Sequence, residues 1–396
     1  MSNAYVVAGC RTPIGKLLGS LSAMTAPELG AIVVRESLRR AGVPSETVDE
    51  VILGNVLTAG LGQAPARQAA LRAGLPPTIA ALTINKMCGS GLKAVMLADQ
   101  VIRAGDARCI VAGGMESMSR SPYLLSGARQ GWKFGSQQAI DSMIHDGLWC
   151  AIEDLSMGAE ADYIASRCGI TRHQQDEFSL ESHRRATRAI AEGAFDSEIV
   201  SVEVPGRKGS TVVRTDEGPR SDASLEALTA LKSSFESQEN VERTVTAGNA
   251  SQISDGAAAV VVVDEGMARE CSATVKARIV ATATSGVPPK DVFIAPVDAI
   301  QRVLSKAGLK LADIDLIELN EAFAAQALAC DSQLHFDREK LNVNGGAIAL
   351  GHPIGASGAR VLVTLLYALA ARGLRRGLAA LCLGGGNAVA MIVERD

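Results

Sequence analysis

Met87-Cys88-Gly89-Ser90-Gly91 is a cysteine set among small residues where a predicted strand is followed by a predicted helix. Before it, Ala80–Ile84 is short and apolar, as expected of a buried strand end. After it, Leu92–Arg103 carries apolar residues at helical spacing, and Gly105 stands where a helix would stop. Unpaired N–H groups at a helix start stabilise a thiolate, so the position predicts a nucleophile whose thiol pKa is lowered. Packing of a small residue at a crowded turn is the alternative for Cys88.

Strands and helices alternate around this stretch. The predicted elements are a strand at Tyr5–Gly9, a helix at Ala26–Ala41 that ends on Gly42, a strand at Val48–Val56, a short helix at Gln63–Gly74, and a strand at Cys109–Ala112 that runs into two glycines. Such alternation predicts an α/β fold with a mostly parallel sheet that is covered on both faces.

The chain changes character after Pro122. As far as about Thr246 it is polar and rich in loops, with one amphipathic charged helix at Arg172–Gly193. A buried strand then follows at Gly256–Val263. We interpret the polar segment as an insertion outside the core layers.

The last third of the chain repeats the first. Ala41–Val51 corresponds to Ala307–Ile317, and Ser90–Lys93 corresponds to Ser357–Arg360, at an almost constant spacing along the chain. The strand that ends at Gly113-Gly114 likewise corresponds to the one that ends at the glycines after Leu383. Two copies of one α/β unit would pack about a pseudo-twofold axis. The loop that holds Cys88 would then face the one that holds Gly351-His352-Pro353.

Composition limits the class of protein. The 396 residues are enough for two or three packed units, and 47% hydrophobic with only 3% aromatic residues predicts a core of small aliphatic side chains. A net charge of −4 disfavours nucleic-acid binding. The longest apolar run, Val361–Ala371, is shorter than the roughly 18 residues of a membrane span. No secretory signal is visible, and the eight cysteines form no CxxC pair or zinc-like cluster, so we expect a reducing, cytoplasmic setting and no metal.

Three further positions carry candidate chemistry. His352 alone among five histidines stands between small residues at a predicted helix start, whereas His145, His173, His183 and His335 are predicted to lie on the surface. Cys382 ends a buried strand just before three glycines, whose N–H groups can approach a ligand closely. Asn320 and Glu321 follow another strand and could hydrogen-bond a substrate or water. A structural imidazole, a packed cysteine and a helix cap at Asn320 are the respective alternatives.

Two cysteines and one histidine at strand ends predict covalent catalysis with proton transfer. A redox dithiol is a competing interpretation, since two close thiols can form a disulfide. A cysteine hydrolase is a third, although its Cys–His pair would leave Cys382 without a role.

Taken together, the motifs of the chain resemble those of the thiolases. The resemblance covers nearly the whole length, through Met87–Gly91, Gly113–Ser119, Asn320–Phe323, Gly351–Gly355 and Cys382–Gly386. It implies a duplicated αβαβα core with an inserted loop domain. The implied boundaries are 1–121 for the N-terminal half, 122–250 for the insertion, 251–272 for the return to the N-terminal half, and 273–396 for the C-terminal half.

The resemblance also implies roles for the site residues. Cys88 is then the nucleophile that takes the acyl group as a thioester, and His352 activates it. With a water held by Asn320, His352 binds the thioester oxygen of the second substrate. Cys382 exchanges the proton on the α-carbon of acetyl-CoA, and the N–H groups of Cys88 and Gly384 form an oxyanion hole. That hole is implied for the acyl-enzyme. Because a carbanion beside a thioester forms with difficulty in water, an oxyanion hole and a positioned base are needed together.

Coenzyme A thioesters are implied as substrates, with no separate cofactor. By resemblance the insertion binds CoA through Arg220, Leu231, Phe235, Ser251 and Met157, for which ordinary loop and core roles are the alternative. Two departures concern this region. Ser156 replaces a histidine common before the Met-Gly of biosynthetic members, and Val292–Pro296 replaces a Met-Gly-x-Gly-Pro stretch beside the acyl pocket.

The implied activity is that of an acetyl-CoA C-acetyltransferase, which reversibly condenses two acetyl-CoA to acetoacetyl-CoA and CoA. A 3-oxoacyl-CoA thiolase for longer chains is the close alternative, and a non-catalytic acyl-CoA or lipid carrier is one from another class. A β-ketoacyl synthase would have a second histidine or an asparagine in place of one of the two thiols, and the presence of Cys382 disfavours it. The family implies a homodimer or homotetramer, with Leu124–Gly147 as a tetramer contact.

Overall fold

The computed structural model describes residues 3–207, 209–236, 238–271 and 275–395. The first half comprises β1 Ala4–Arg11, β2 Gly15–Lys16, α1 Ala26–Ala41, β3 Glu50–Gly54, α2 Pro65–Ala73, β4 Ala80–Ile84, α3 Ser90–Ala104 and β5 Cys109–Ser117. The segment that follows comprises β6 Tyr123–Leu124, β7 Ile140–Asp141, β8 Trp149–Cys150, β9 Leu155–Ser156, α4 Met157–Cys168, α5 Arg172–Ala191, β10 Val202–Gly206, β11 Gly209–Val213 and α6 Leu225–Thr229.

The rest of the chain returns to the core. Its elements are β12 Ser254–Asp264, α7 Glu265–Glu270, β13 Ala277–Gly286, α8 Ala295–Ala307, β14 Leu316–Leu319, α9 Ala324–Leu334, α10 Ala347–Leu350, α11 Ile354–Ala371, β15 Arg376–Leu383 and β16 Asn387–Glu394. Short helical turns lie at Ser45–Thr47, Met118–Arg120, Ile144–Leu148, Pro289–Ile294 and Leu311–Asp313.

Within the described part of the chain, ten strands form one sheet in the order β14-β15-β16-β13-β1-β12-β5-β3-β4, with β2 paired to β12. The order is nearly symmetric about the β1–β13 pair, so β3, β5, β12 and β1 correspond to β14, β15, β16 and β13. The predicted duplication is therefore confirmed. The prediction of a mostly parallel sheet is wrong, because β12 and β16 run antiparallel to their neighbours. Strand β16 follows β15 through a short turn, and β12 follows β5 only after the inserted segment, so neither strand enters the sheet through the single crossover helix that the alternating pattern suggested.

The helices arrange the two half-sheets in five layers. Helices α3 and α11 pack against each other and against strands of both halves, whereas α1 and α8 cover the outer faces. Close contact between the inner helices depends on glycine, because a Cβ at Gly91 would lie 2.6 Å from the amide nitrogen of Ala359. Helix α11 is long and apolar enough to cross a membrane by length and composition, but 83% of it is buried inside the fold.

The structure refines several predicted elements. Helix α1 has the predicted bounds, because a Thr25–Glu28 capping box begins it and Gly42, with φ of 64°, ends it. Strand β4 is not buried as predicted but lies partly exposed at the sheet edge, with Leu82 42% exposed. Helix α4 was not predicted, because small residues obscure its apolar face. The predicted boundary between residues 272 and 273 lies outside the described residues.

Candidate active site

The loop between β4 and α3 presents Cys88 in a strained and well-fixed conformation. Met87 has a φ of 45°, a left-handed value that costs energy for a residue with a Cβ. The Ser90 hydroxyl holds this turn, since it donates to the Met87 carbonyl at 2.6 Å and accepts from the Lys86 amide at 2.8 Å. Gly89 is the N-cap of α3, so Cys88 lies just before the helix start, as predicted.

The surroundings of the Cys88 thiol differ from the prediction. The backbone N–H of Gly384 lies close enough to favour its thiolate, so the glycine turn after β15 is next to the candidate nucleophile. Burial nevertheless raises the pKa of Cys88 to about 11, and the N–H groups of Gly384 and Cys88 offset this only in part. The predicted lowering of the Cys88 pKa is therefore wrong. Removal of water from the thiol outweighs the helix terminus, so ionisation needs a base.

Cys382 lies at the carboxyl end of β15, two residues before Gly384. It is 2% exposed and belongs to an apolar cluster that also contains Phe293, Phe323 and Met157. Burial, and then the charge of a Cys88 thiolate, raise the pKa of Cys382 well above its ordinary value. Two neighbouring thiols are thus placed here by β15 of the second half and the helix-start loop of the first.

His352 lies at the corresponding loop of the second half. Its Nδ1 is 2.6 Å from the Ser357 hydroxyl, which in turn lies 2.9 Å from the Pro353 carbonyl. With the hydroxyl proton donated to that carbonyl, Ser357 accepts from Nδ1–H, which leaves Nε2 as an acceptor. Nε2 is buried without a partner among the described residues. Burial, aided by the Arg360 guanidinium, lowers the pKa of His352 to about 3, so the ring is a neutral base.

Asn320 does not cap a helix. The helix that follows it begins only at Ala324, and both Asn320 side-chain atoms are buried with no hydrogen-bond partner in the described parts of the chain. Its backbone N–H bonds the Ala380 carbonyl at 3.0 Å, which places it beside β15 and near Cys382. A buried amide with unused donors and acceptor is suited to hold a water or a substrate atom. The capping interpretation is therefore wrong.

Glu321, the other candidate at this strand end, has a structural role instead. Its carboxylate accepts from Ser182 at 2.7 Å, from Asn342 at 2.9 Å and from the Ile348 amide at 3.2 Å. The hydrogen bond from Ser182 connects α5 of the inserted segment to the second half of the core. A ligand would have to displace them.

The predicted CoA contacts form a strip that leads away from the catalytic loops. A Cβ at Gly384 would lie 4.0 Å from the Met157 sulfur, and Phe235 covers Gly158 and packs edge-on to Phe323 at 6.2 Å. Ser251 donates its N–H to Ala322 at 2.9 Å, which joins the strip to the Asn320 loop. The structure thus brings Met157, Phe235 and Ser251 near the candidate catalytic residues.

Leu231 and Arg220 lie further out. Leu231 is 37% exposed and packs beside Gly248, which has no room for a Cβ. Arg220 is exposed, and its backbone N–H bonds Nδ1 of His183 at 3.2 Å. His183 is buried, so its predicted surface position is wrong; burial and Arg220 lower its pKa to about 4.

The structure shows the contacts made at the two departures from the family pattern, Ser156 and the stretch that contains Phe293. Ser156 caps α4 by accepting from the Ala159 amide at 3.2 Å, and its hydroxyl donates to Glu236 at 2.9 Å. Phe293 is 2% exposed, with its ring 5.2 Å from that of Phe323. These two aromatic rings form a wall in the apolar cluster that contains Cys382.

One buried carboxylate beside the candidate site was not predicted. Glu116 is fully buried, and its carboxylate accepts from four donors on both sides of the candidate site. It lies inside the quoted stretch Gly113–Ser119, but nothing local to that stretch indicated its partners. Within the described ranges, no group of three histidine, cysteine or acidic side chains is placed to hold a metal ion.

Comparison with known proteins agrees with this architecture. The family model described as thiolase, N-terminal domain, matches residues 4–266, and the one described as thiolase, C-terminal domain, matches residues 273–395. The acetyl-CoA acetyltransferases of Escherichia coli and Cupriavidus necator are 54% and 52% identical to the chain, each over 396 residues and 100% of both sequences. The crystal structure of the Bacillus anthracis acetyl-CoA acetyltransferase superposes with a TM-score of 0.96 at 42% identity, and covers 100% of this chain and 99% of that one.

Proposed function

The chain belongs to the thiolase family, and from this premise we propose that it acts as an acetyl-CoA C-acetyltransferase that condenses two acetyl-CoA reversibly to acetoacetyl-CoA and CoA. The observation that carries the proposal is the approach of the Gly384 N–H, two residues beyond Cys382, to the Cys88 thiol. The proximity of the Cys88 thiol, the Gly384 N–H and the Cys382 thiol supports the roles of nucleophile, oxyanion donor and base that we propose for them. The test is thiolysis of 3-oxoacyl-CoA substrates of increasing chain length, with activity highest on acetoacetyl-CoA.

In the first half-reaction, Cys88 attacks the thioester carbonyl of acetyl-CoA. A carbon–sulfur bond forms to Cys88 and the bond to the CoA sulfur breaks, while the Cys88 proton passes to Nε2 of His352 and then to the leaving thiolate. The neutral imidazole is a suitable base, because its Nδ1 is held by Ser357 and Nε2 has its lone pair available. The N–H groups of Gly384 and Cys88 stabilise the oxyanion.

In the second half-reaction, Cys382 removes a proton from the methyl group of a second acetyl-CoA. Before it does so, Nε2 of His352 takes the Cys382 thiol proton, so that His352 and a water on Asn320 both donate to the enolate oxygen. The carbanion attacks the Cys88 thioester and expels the Cys88 thiolate, which takes that proton from His352. A Cys88 thiolate raises the pKa of Cys382. Acylation of Cys88 removes that charge, so the two steps follow in order. Once ionised, a thiol of high pKa is also a strong base for a weakly acidic carbon.

The aromatic wall favours short acyl chains over the long-chain alternative. If Pro296 is aligned with the proline of the family stretch Met-Gly-x-Gly-Pro, Phe293 takes the place of its first glycine. The buried Phe293 ring therefore occupies, next to Cys382, volume that a glycine would leave open. An acyl chain that extends past C4 would meet the Phe293–Phe323 pair.

Replacement of Phe293 by alanine is expected to lengthen the preferred substrate. Each buried methylene contributes about 0.8 kcal/mol, so room for two of them raises kcat/KM for 3-oxohexanoyl-CoA roughly tenfold relative to acetoacetyl-CoA. Steady-state thiolysis across chain lengths measures this ratio. Phe336→Ala is the matched control, since Phe336 is also buried but packs in a different hydrophobic cluster from the one that contains Cys382. An unchanged ratio in Phe293→Ala, or an equal change in the control, contradicts the role of Phe293 in chain-length selection.

The non-catalytic carrier is disfavoured by the polar groups of the site. Nε2 of His352 and the Asn320 amide are buried without partners among the described residues, and such groups destabilise a fold. A carrier that only binds acyl-CoA has no use for a neutral base beside a thiol.

The exposed strand edge supports a homodimer. Strand β4 pairs with β3 on one side only in the described sheet, and Leu82 on it is 42% exposed. An unpaired apolar edge pairs readily with another chain. We propose that β4 joins its counterpart in a second copy, and that 124–147, with Phe134 98% and Leu125 54% exposed, joins two dimers.

A charged residue on β4 is expected to separate the dimer. Leu82→Lys would bury an unpaired ammonium in the proposed interface and yield monomers by light scattering, whereas Phe134→Ser would leave dimers in place of tetramers. Lys290→Glu, an exposed control on the second half, should leave the mass unchanged. A Leu82→Lys protein of wild-type mass would place the interface elsewhere.

We further propose that the insertion, residues 122–250, binds the CoA moiety along the strip described above, with Ser251 contributed by the chain just beyond it.

The free state of all eight cysteines supports the expected cytoplasmic location.

A further inference from the structure

Glu116 joins the two halves of the molecule at the candidate active site. It lies near the end of β5, and one carboxylate oxygen accepts from the Asn55 side chain at 2.6 Å and from the Leu57 amide at 3.2 Å. The other accepts from the Val56 amide at 3.0 Å and from the Gly355 amide at 2.9 Å. Three donors come from the loop after β3, and the fourth from the start of α11 in the second half.

The backbones meet closely at this point. A Cβ at Gly54 would lie 2.8 Å from the Gly355 carbonyl oxygen, and one at Gly114 would collide with the same oxygen. A Cβ at Gly355 would lie 2.7 Å from Glu116 itself. The backbone at the start of α11 thus packs directly against the ends of β3 and β5, and no side chain separates the three segments. Such a contact gives little apolar burial, so its hydrogen bonds decide its exact geometry.

The joined segments carry the reacting groups. Gly355 follows His352 by one short turn, and Ile354 packs in the same small cluster as Cys88, Leu57 and Val56. Burial raises the pKa of Glu116 to about 7, although its four donors favour the carboxylate, and in its charged form Glu116 raises the pKa of the Cys88 thiol. A shift of α11 relative to β3 would therefore change the separation of nucleophile and base.

We propose that Glu116 is a positioning residue that holds the His352 loop of the second half in register with the Cys88 loop of the first. The inference rests on the proposed roles of Cys88 and His352. A carboxylate is suited to this position because each oxygen receives two donors. In glutamine, one terminus carries hydrogens that would face two N–H groups.

The test compares Glu116→Gln with wild type, alone and combined with His352→Ala. We expect the single variant to slow acetylation of Cys88 by about 10- to 100-fold, since misplacement by 1 Å can cost that much. The KM for acetyl-CoA should hardly change. In the His352→Ala background Glu116→Gln should add almost nothing, because the loop it positions no longer carries a base.

Alkylation of Cys88 by iodoacetamide provides a second readout that needs no acyl-transfer activity. We expect Glu116→Gln to slow alkylation in the wild-type background and to change it little in the His352→Ala background. Because alkylation does not involve acetyl-CoA, this result does not depend on the proposed acyl-transfer activity. Failure of the proposed function and failure of this inference are therefore distinguishable. If Glu116 acted only through its charge, its removal would ease ionisation of Cys88 and speed alkylation. Faster alkylation, or equal losses in both backgrounds, would overturn the positioning role.

Two further variants separate positioning from loss of fold. Asp162→Asn is the matched control, since Asp162 is also a buried carboxylate. It accepts hydrogen bonds from the Thr244 and Val245 amides at 2.7 and 2.8 Å, both within the inserted segment. It should lower Tm without changing the alkylation rate of Cys88. Asn55→Ala removes one side-chain donor and keeps the carboxylate. It should show a smaller loss with the same dependence on His352, even if Glu116→Gln does not fold.

Discussion

Replacement of Cys88 by alanine is expected to lower acetoacetyl-CoA thiolysis by at least about 10⁴-fold, because loss of a nucleophile removes every step that follows from it. The oxyanion donors remain, but there is no thiol for the Gly384 N–H to orient. Acetyl-CoA with a labelled acetyl group should leave no covalent label on the denatured protein. The covalent label is measured by mass spectrometry after the reaction is quenched and the protein is denatured.

The matched control for this variant is Cys109→Ala. Cys109 is fully buried in β5, and burial likewise raises its pKa to about 12, but it faces the outer cluster of the first half. Its loss should change stability and leave labelling of Cys88 intact. A labelled thioester that persists in Cys88→Ala would exclude Cys88 as the nucleophile.

Replacement of Cys382 by serine is expected to separate the two half-reactions. Acetylation of Cys88 should proceed near the wild-type rate, whereas condensation should fall by about 10²- to 10⁴-fold, as loss of a general base does. Serine retains the shape of the side chain but ionises far less readily than a thiol. Exchange of the methyl protons of acetyl-CoA with deuterated water should fall in parallel.

Cys330→Ser is the control for the Cys382 variant. Cys330 is fully buried near the same cluster and donates its thiol to the Phe293 carbonyl at 3.3 Å, a bond that serine can make. It should leave condensation unchanged. Unchanged condensation in Cys382→Ser would remove Cys382 as the base, and lost acetylation would move its role to the first half-reaction.

Local patterns were sufficient for many of the core elements and for their duplication. The capping box at Thr25 and the glycine at position 42 bound helix α1 by contacts within one or two turns, so its bounds could be predicted. The correspondence of Ala41–Val51 with Ala307–Ile317 likewise lies in the residue order. Candidate status for Cys88, His352 and Cys382 followed from small residues at strand ends and helix starts, together with the resemblance of their motifs to those of thiolases.

Tertiary structure decided whatever depends on segments far apart in the chain. The direction of β12 and β16 depends on which strands they join. The pKa of Cys88 is raised because distant segments exclude water from a thiol that its own helix start would help to ionise. Asn320 is free to hold water because its helix begins later than the pattern suggested.

The sequence by itself thus determined the two-fold repeated α/β core and the identity of the candidate reacting groups, because short-range hydrophobic spacing and turn chemistry encode both. Only the tertiary structure decided how those groups are held and how readily they ionise. Glu116 makes the distinction plain: its four donors come from residues 55–57 and 355, and no pattern near residue 116 specifies them. Burial and hydrogen-bond partners belong to the assembled fold, and they set both geometry and proton affinity.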